Sequence, residues 1–83
     1  MNIENTLNEG ISILQKNRMH NPRLDSEILL SCSIQRDKKY IILNPKEVLN
    51  LEKLNKFKSL IERRKKGEPI AYLINKKDFW KNE

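Results

Sequence analysis

Gly67-Glu68-Pro69 constrains this chain more than any other stretch. A glycine can adopt φ > 0 and close the helix that ends in Arg63-Arg64-Lys65-Lys66. Glu68 and Pro69 then suit a helix start, because proline lacks the N–H that would be orphaned there and brings a φ close to the helical value. Ile70, Tyr72 and Leu73 give this second, short helix an apolar side to bury, over about residues 69–74. Whatever the chain folds into must therefore turn sharply near residue 67. After Asn75, Phe79-Trp80 places two large aromatics side by side at the end of the sequence. In an extended segment such neighbours project to opposite sides, so at least one needs cover from elsewhere.

The rest of the chain reads as helix. Ile3, Leu7, Ile11 and Leu14 are spaced by four, four and three, forming one stripe of a helix over residues 3–17 with Asn2 as its N-cap. Gly10 interrupts that helix at a cost of about 1 kcal/mol relative to alanine. Either another helix approaches closely there or the glycine is simply tolerated, and the second account is preferred. Asn17 to Asn21 forms a polar turn. A second helix spans about Pro22 to Ile34, with Asn21 as cap and proline at the first helical position. Leu24, Ile28, Leu29, Leu30, Cys32 and Ile34 wrap most of its circumference, which predicts the central helix of a bundle. Tyr40-Ile41-Ile42-Leu43 suits either a strand or a short helix. No other run offers a partner strand, and a lone strand leaves its backbone unsatisfied, so a short helix is expected. Asn44-Pro45 breaks it. A long helix then runs from about Leu51 to Lys66, capped by Asn50, burying Leu54, Phe57, Leu60, Ile61 and Leu51. The expected fold is all-α: a small bundle of four to five helices over residues 1–75, with residues 76–83 as an extended C-terminal tail or linker.

With 83 residues the chain makes one small domain with a modest core. Its 37% hydrophobic and 34% charged residues indicate a folded, water-exposed domain rather than a disordered one. No apolar run approaches a membrane span, and Met1-Asn2-Ile3-Glu4 lacks the basic-then-apolar pattern of a signal peptide. A single cysteine, Cys32, leaves no internal disulfide and fits a reducing compartment, so a cytoplasmic monomer is expected. The net charge of +6 is uneven. Residues 1–43 carry six Lys/Arg against five Asp/Glu, and residues 44–83 carry eleven against six. Such a basic half suits an acidic protein face or nucleic acid. Heavy use of Lys, Asn and Ile is also what an AT-rich genome produces without selection for binding.

Catalytic chemistry is not written into these residues. Two glycines, Gly10 and Gly67, cannot build a phosphate-cradling loop, and one Cys with one His cannot build a zinc site. His20 falls in a polar turn, where solvation is its ordinary fate. Cys32 lies on an apolar helix and reads as a small buried hydrophobe. Asp25 and Glu27 open the second helix, where acids complement the positive dipole end, and Arg23 with Asp25 reads as a local ion pair or cap. The catalytic, cofactor-binding and metal-binding sets are each expected to be empty.

Two motifs in order carry a family resemblance. Arg63-Arg64, then Gly67-Glu68-Pro69-Ile70-Ala71-Tyr72-Leu73 and Phe79-Trp80, are preceded upstream by Pro22-Arg23-Leu24-Asp25-Ser26-Glu27-Ile28-Leu29-Leu30. Together they resemble the N-terminal domain of the HemK/PrmC family of release factor N5-glutamine methyltransferases. Ser26 stands where that family usually has alanine, Asn75 where it has glycine, and Lys81 where a glycine commonly follows the aromatic pair. The resemblance implies a helical recognition domain. Its partners would be a class 1 peptide chain release factor, as protein substrate, and a catalytic domain absent from these residues. The family's glycine-rich S-adenosylmethionine site and Asn-Pro-Pro-Tyr loop do not occur here, so S-adenosylmethionine would be a cofactor of the parent enzyme only. The resemblance also makes Tyr72, Phe79 and Trp80 candidates for packing against the catalytic domain. The basic cluster Arg63, Arg64, Lys65 and Lys66 is the candidate partner-binding feature. Cations in a last helical turn also complement the dipole, contributing about 0.3–1 kcal/mol each, and that account competes with binding. A nucleic-acid-binding module and a spacer with no partner of its own are the alternative readings; with few aromatics and no recognition-helix pattern, nucleic acid is the weaker of them.

Overall fold

Three of the five helices start where a short polar side chain satisfies the backbone. In the computed structural model, which describes residues 1–74, the Asn2 side chain accepts from the Asn5 N–H and α1 runs Ile3–Lys16. Pro22 opens α2 (Pro22–Ile34); Asn21 precedes it but makes no side-chain capping bond. Asp37 caps α3 (Lys38–Leu43) by accepting from the Tyr40 N–H, so the ambiguous apolar run is helical. Asn50 caps α4 (Leu51–Lys65) through the Lys53 N–H, and α5 (Ile70–Leu73) follows Pro69. The five helices and the absence of a strand among the described residues agree with the all-α expectation. The tail expected over 76–83 lies outside those residues.

The ends of α1, α2 and α4 are closed by left-handed residues, Arg18, Gln35 and Gly67. At the end of α4, Gly67 has φ 105°, its N–H donates to Arg64 O at 2.9 Å, and the Glu68 N–H donates to Arg63 O at 3.2 Å. That is a Schellman motif, and it satisfies two otherwise orphaned carbonyls. The same pair of bonds closes α1: Arg18 to Gln15 O at 3.1 Å and Met19 to Leu14 O at 3.0 Å, with Arg18 at φ 60°.

Helices α1, α2 and α4 pack on one another, α3 lies on α2, and α5 lies on α4 and α2. Helix α2 is thus the central one, but for a different reason than its apolar residues suggest. Its buried side chains include Ser26, Ser31, Cys32 and Ser33 beside Leu29, Leu30 and Ile34, whereas Leu24 is exposed. Small residues let neighbouring helices come close on several sides at once. Ser33 donates to Leu29 O at 2.8 Å, while the hydroxyls of Thr6, Ser26 and Ser31 have no partner among the described residues.

Gly10 is a second correction. A Cβ placed there would lie 2.6 Å from Phe57 Cζ and 3.1 Å from Ile61 Cδ1, so the glycine is required where α4 crosses α1. The α4 stripe is Phe57, Leu60 and Ile61; Leu54 is half-buried, and Leu51, at the first helical position, is exposed. The N-terminus is also tied down. Asn2 pairs with Val48 in an isolated antiparallel bridge, Ile3 N donates to Glu47 O at 2.9 Å, and Leu49 N donates to Met1 O at 3.0 Å.

Candidate partner-binding surface

The four consecutive cations at the end of α4 do not act as one patch. Arg64 turns inward: its Nε lies 2.9 Å from Asp25 Oδ2 in the first turn of α2, and its NH1 donates to Glu68 O at 2.8 Å. Both side chains are largely buried, Asp25 to 8% exposure and Arg64 to 18%. Asp25 is therefore more than a dipole-complementing acid, and its partner is not Arg23. Arg23 pairs instead with Glu27 one turn on, at 3.3 Å. A helical side chain leans toward the i ± 4 neighbour, not the i ± 2 one, and Asp25 faces α4.

Arg63 pairs with Glu68, NH2 to Oε1 at 2.8 Å, with Nε donating to both carboxylate oxygens. That hydrogen bond, reinforced by the Glu68 charge, raises the Arg63 pKa, so its positive charge is held but shared. Lys65 pairs with Glu62 at 3.1 Å. Lys66 is exposed and forms no ion pair among the described residues. The sequence thus places four charges together, and the fold neutralises three of them locally.

Of the aromatic candidates, Tyr72 is exposed, whereas Leu73 supplies the buried side of α5. The expectation that Tyr72 helps bury the short helix is corrected: Ile70 and Leu73, three residues apart, share the face that packs on the core, and Tyr72 lies off it. Phe79 and Trp80 lie outside the described residues. Cys32 is buried, and His20 is exposed in the turn between α1 and α2. A shallow pocket of about 260 Å³ beside α4 is lined by Cys32, Lys56, Ser59, Leu60, Arg63 and Leu73. Neither glycine fits a cofactor cradle, since Gly10 is pressed against Phe57 and Gly67 is used by the Schellman turn.

The decisive observation is that a model of the PrmC N-terminal domain matches residues 5–74, the helical body from α1 through α5. The chain belongs to the PrmC N-terminal domain family. A release factor glutamine methyltransferase of Buchnera aphidicola subsp. Schizaphis graminum is 42% identical over 80 residues, covering 96% of this chain and 28% of that protein. One from Aliivibrio fischeri is 32% identical over 80 residues, with the same two shares, 96% and 28%. A bifunctional methyltransferase of Rickettsia bellii is 38% identical over 81 residues, 98% of this chain and 15% of that protein. The chain thus spans less than a third of the length of these relatives. No solved structure matches. For a PrmC N-terminal domain, the Asp25–Arg64 pair ties together the two motifs that carried the resemblance.

Two features escaped the sequence reading. One is this pair, since helical periodicity says nothing about partners in other helices. The other is the exposure of Ile42 and Leu43 at the end of α3, Val48 in the connector and Leu51 at the start of α4. No periodic signal marks it, since Leu51 has the spacing of the α4 stripe to which the sequence assigns it, and its exposure is a correction.

Proposed function

We propose that this domain helps bind and orient a class 1 peptide chain release factor for methylation of its Gly-Gly-Gln glutamine. The methyl group would come from S-adenosylmethionine, in the parent protein-(glutamine-N5) methyltransferase. The match of the PrmC N-terminal domain to residues 5–74 is the observation that carries this reading. Relatives named release factor glutamine methyltransferases support the substrate class.

The domain's own part is not catalytic. An amide nitrogen is a weak nucleophile because its lone pair is delocalised, so methyl transfer to glutamine depends on orientation and on hydrogen bonds at that nitrogen. Binding energy gained away from the reacting atom can supply orientation. The residues of this chain do not fit S-adenosylmethionine, so no chemical step is assigned to them. The excess of cations in the second half would steer an acidic partner, weakening with salt. Lys66, exposed and without an ion pair among the described residues, is the member of the basic cluster that remains available for it. Tyr72, exposed on α5, is available to pack against a catalytic domain.

The test is an NMR titration of the isotope-labelled chain with unlabelled release factor at moderate salt. Saturable shifts on one face are the expected result. Flat spectra would leave a spacer role. Shifts with any RNA, fading steeply as salt rises, would point to nucleic acid instead.

A further inference from the structure

Residues 68–74 are fastened to the rest of the domain at their two ends. At the first end, Glu68 carries the polar ties found among the described residues. Its N–H donates to Arg63 O at 3.2 Å, its carboxylate pairs with Arg63 at 2.8 Å, and its carbonyl accepts from Arg64 NH1 at 2.8 Å. At the second end, Leu73 and Ile74 are buried and Ile70 is partly so. Pro69, Ala71 and Tyr72, between them, are exposed.

Helix α5 has little of its own to hold it. The N–H groups of Tyr72 and Leu73 donate to Pro69 O at 3.1 Å, and that of Ile74 donates to Ile70 O at 3.0 Å. One turn of helix is too short to persist alone, so undocking and melting of this segment are one event. Gly67 precedes it at φ 105°, with nothing within 4 Å of the place a Cβ would take. Such a residue absorbs a large backbone rotation without a clash, as hinges do. Helices α1, α2 and α4 pack directly on one another, so their contacts do not pass through α5. Segments with few buried contacts open at a lower free energy than the whole fold.

Beneath the segment lies the one cysteine of the chain. Leu73 borders the shallow pocket beside α4 together with Cys32 and Leu60, and Cys32 is 3% exposed. Arg64 is not part of that lining. It is anchored instead by Asp25, 2.9 Å away at the start of α2.

We propose that residues 68–74 form a strap, hinged at Gly67 and clasped by Arg64 through the Glu68 carbonyl. The strap opens as a unit while the body of α1, α2 and α4 stays folded. Opening uncovers Cys32 and Leu60, so the strap gates the access of solvent and solutes to this floor. Arg64 is a positioning residue here: it fixes the strap without touching what the strap covers.

The test follows modification of the Cys32 thiol by Ellman's reagent in the whole chain, below the urea unfolding transition. In the natural chain the thiol should react more slowly than a free one. Its rate should rise less than about twofold over the first 2 M urea or so, because a strap exposes little surface; a reaction that required global unfolding would rise about thirtyfold. Asp25→Leu/Arg64→Met removes the clasp without leaving a buried charge unpaired. Without urea it should react about fivefold faster or more. Leu73→Ala loosens the other end and should accelerate the reaction about tenfold or more. Ile61→Val lies on the α4 face turned toward Gly10; it should lower the urea midpoint yet leave the rate without urea within about twofold. A rate that climbs in step with global unfolding overturns the strap. So does a natural chain that reacts as fast as a free thiol, since the reagent would then reach Cys32 with the strap closed. Unchanged rates in both the double variant and Leu73→Ala would assign the opening to another segment and overturn the inference.

Discussion

Arg64 Nε and Asp25 Oδ2 are 2.9 Å apart although 39 positions separate the two residues. The same guanidinium also reaches Glu68 O, so one side chain joins the start of α2, the end of α4 and the approach to α5. Breaking such a pair leaves an uncompensated charge in a partly dry site, which costs more than the intact pair contributes. Asp25→Ala and Arg64→Ala should each lower stability by about 2–3 kcal/mol. The double variant Asp25→Leu/Arg64→Met should recover much of that. Urea unfolding of the four-member cycle measures the coupling. Arg63→Ala, which opens an exposed pair with Glu68, should be clearly milder.

Gly10 sets the spacing of α1 and α4. Alanine would gain about 1 kcal/mol in helix propensity but would press against the Phe57 ring and Ile61. Phe57 is 1% exposed and cannot swing out. Overpacking of this kind costs about 1–3 kcal/mol, so Gly10→Ala should be net destabilising by about 1 kcal/mol. Phe57→Leu shortens the opposing side chain. The penalty of Gly10→Ala should therefore shrink or reverse in the Phe57→Leu background, as thermal unfolding of the pair would show.

The two Schellman closures make opposite predictions. Gly67 sits at φ 105° with open space around it, so Gly67→Ala meets no clash and is penalised only by its backbone. A left-handed L-residue costs about 1–2 kcal/mol, and the loss should fall in that range, less what alanine saves in the unfolded state. Arg18 occupies the equivalent position at φ 60° in α1. Arg18→Gly should stabilise by about 0.5–1 kcal/mol, after allowing for the greater freedom of unfolded glycine. Chemical denaturation of both variants beside the natural chain checks sign and size.

These residues also mark how far the sequence could be read. Asn2 and Asn50 act through backbone groups three residues away, so those helix starts are local and visible, whereas Asn21 makes no capping bond and the Asp37 cap of α3 escaped the sequence reading. Gly67 announces its turn because only its backbone is at issue. Arg18 gives no such announcement, since nothing in an arginine signals φ > 0. Phe57 against Gly10, Arg64 against Asp25 and Met1 against Leu49 are choices made between elements. A one-dimensional pattern names a buried face but not what covers it. The candidate site suffered most from this: four adjacent cations look like a patch until Asp25, Glu68 and Glu62 arrive from the fold.

Tyr40 gives the domain a dependence on alkaline pH. Its hydroxyl donates to the Glu47 carboxylate, and this bond is the main reason its pKa is raised. Partial desolvation and the Glu47 charge add to the effect, and the Arg36 guanidinium, 4.8 Å from the ring centroid, opposes it. The folded state therefore holds the phenolic proton more tightly than the unfolded state, where the pKa is about 10. The resulting stability is complete below that value and disappears as pH rises through the folded pKa. In a Tyr72→Phe chain the single remaining tyrosine should ionise above pH 10 when followed by absorbance at 295 nm. Glu47→Gln should bring that titration back toward the ordinary value. Urea midpoints compared between about pH 9 and pH 11.5, on either side of the ordinary tyrosine pKa, should fall less steeply for Tyr40→Phe than for the natural chain. Parallel curves for the two chains would mean that the Tyr40–Glu47 bond does not persist in solution. The connector that holds Val48 would then lack its tie to α3.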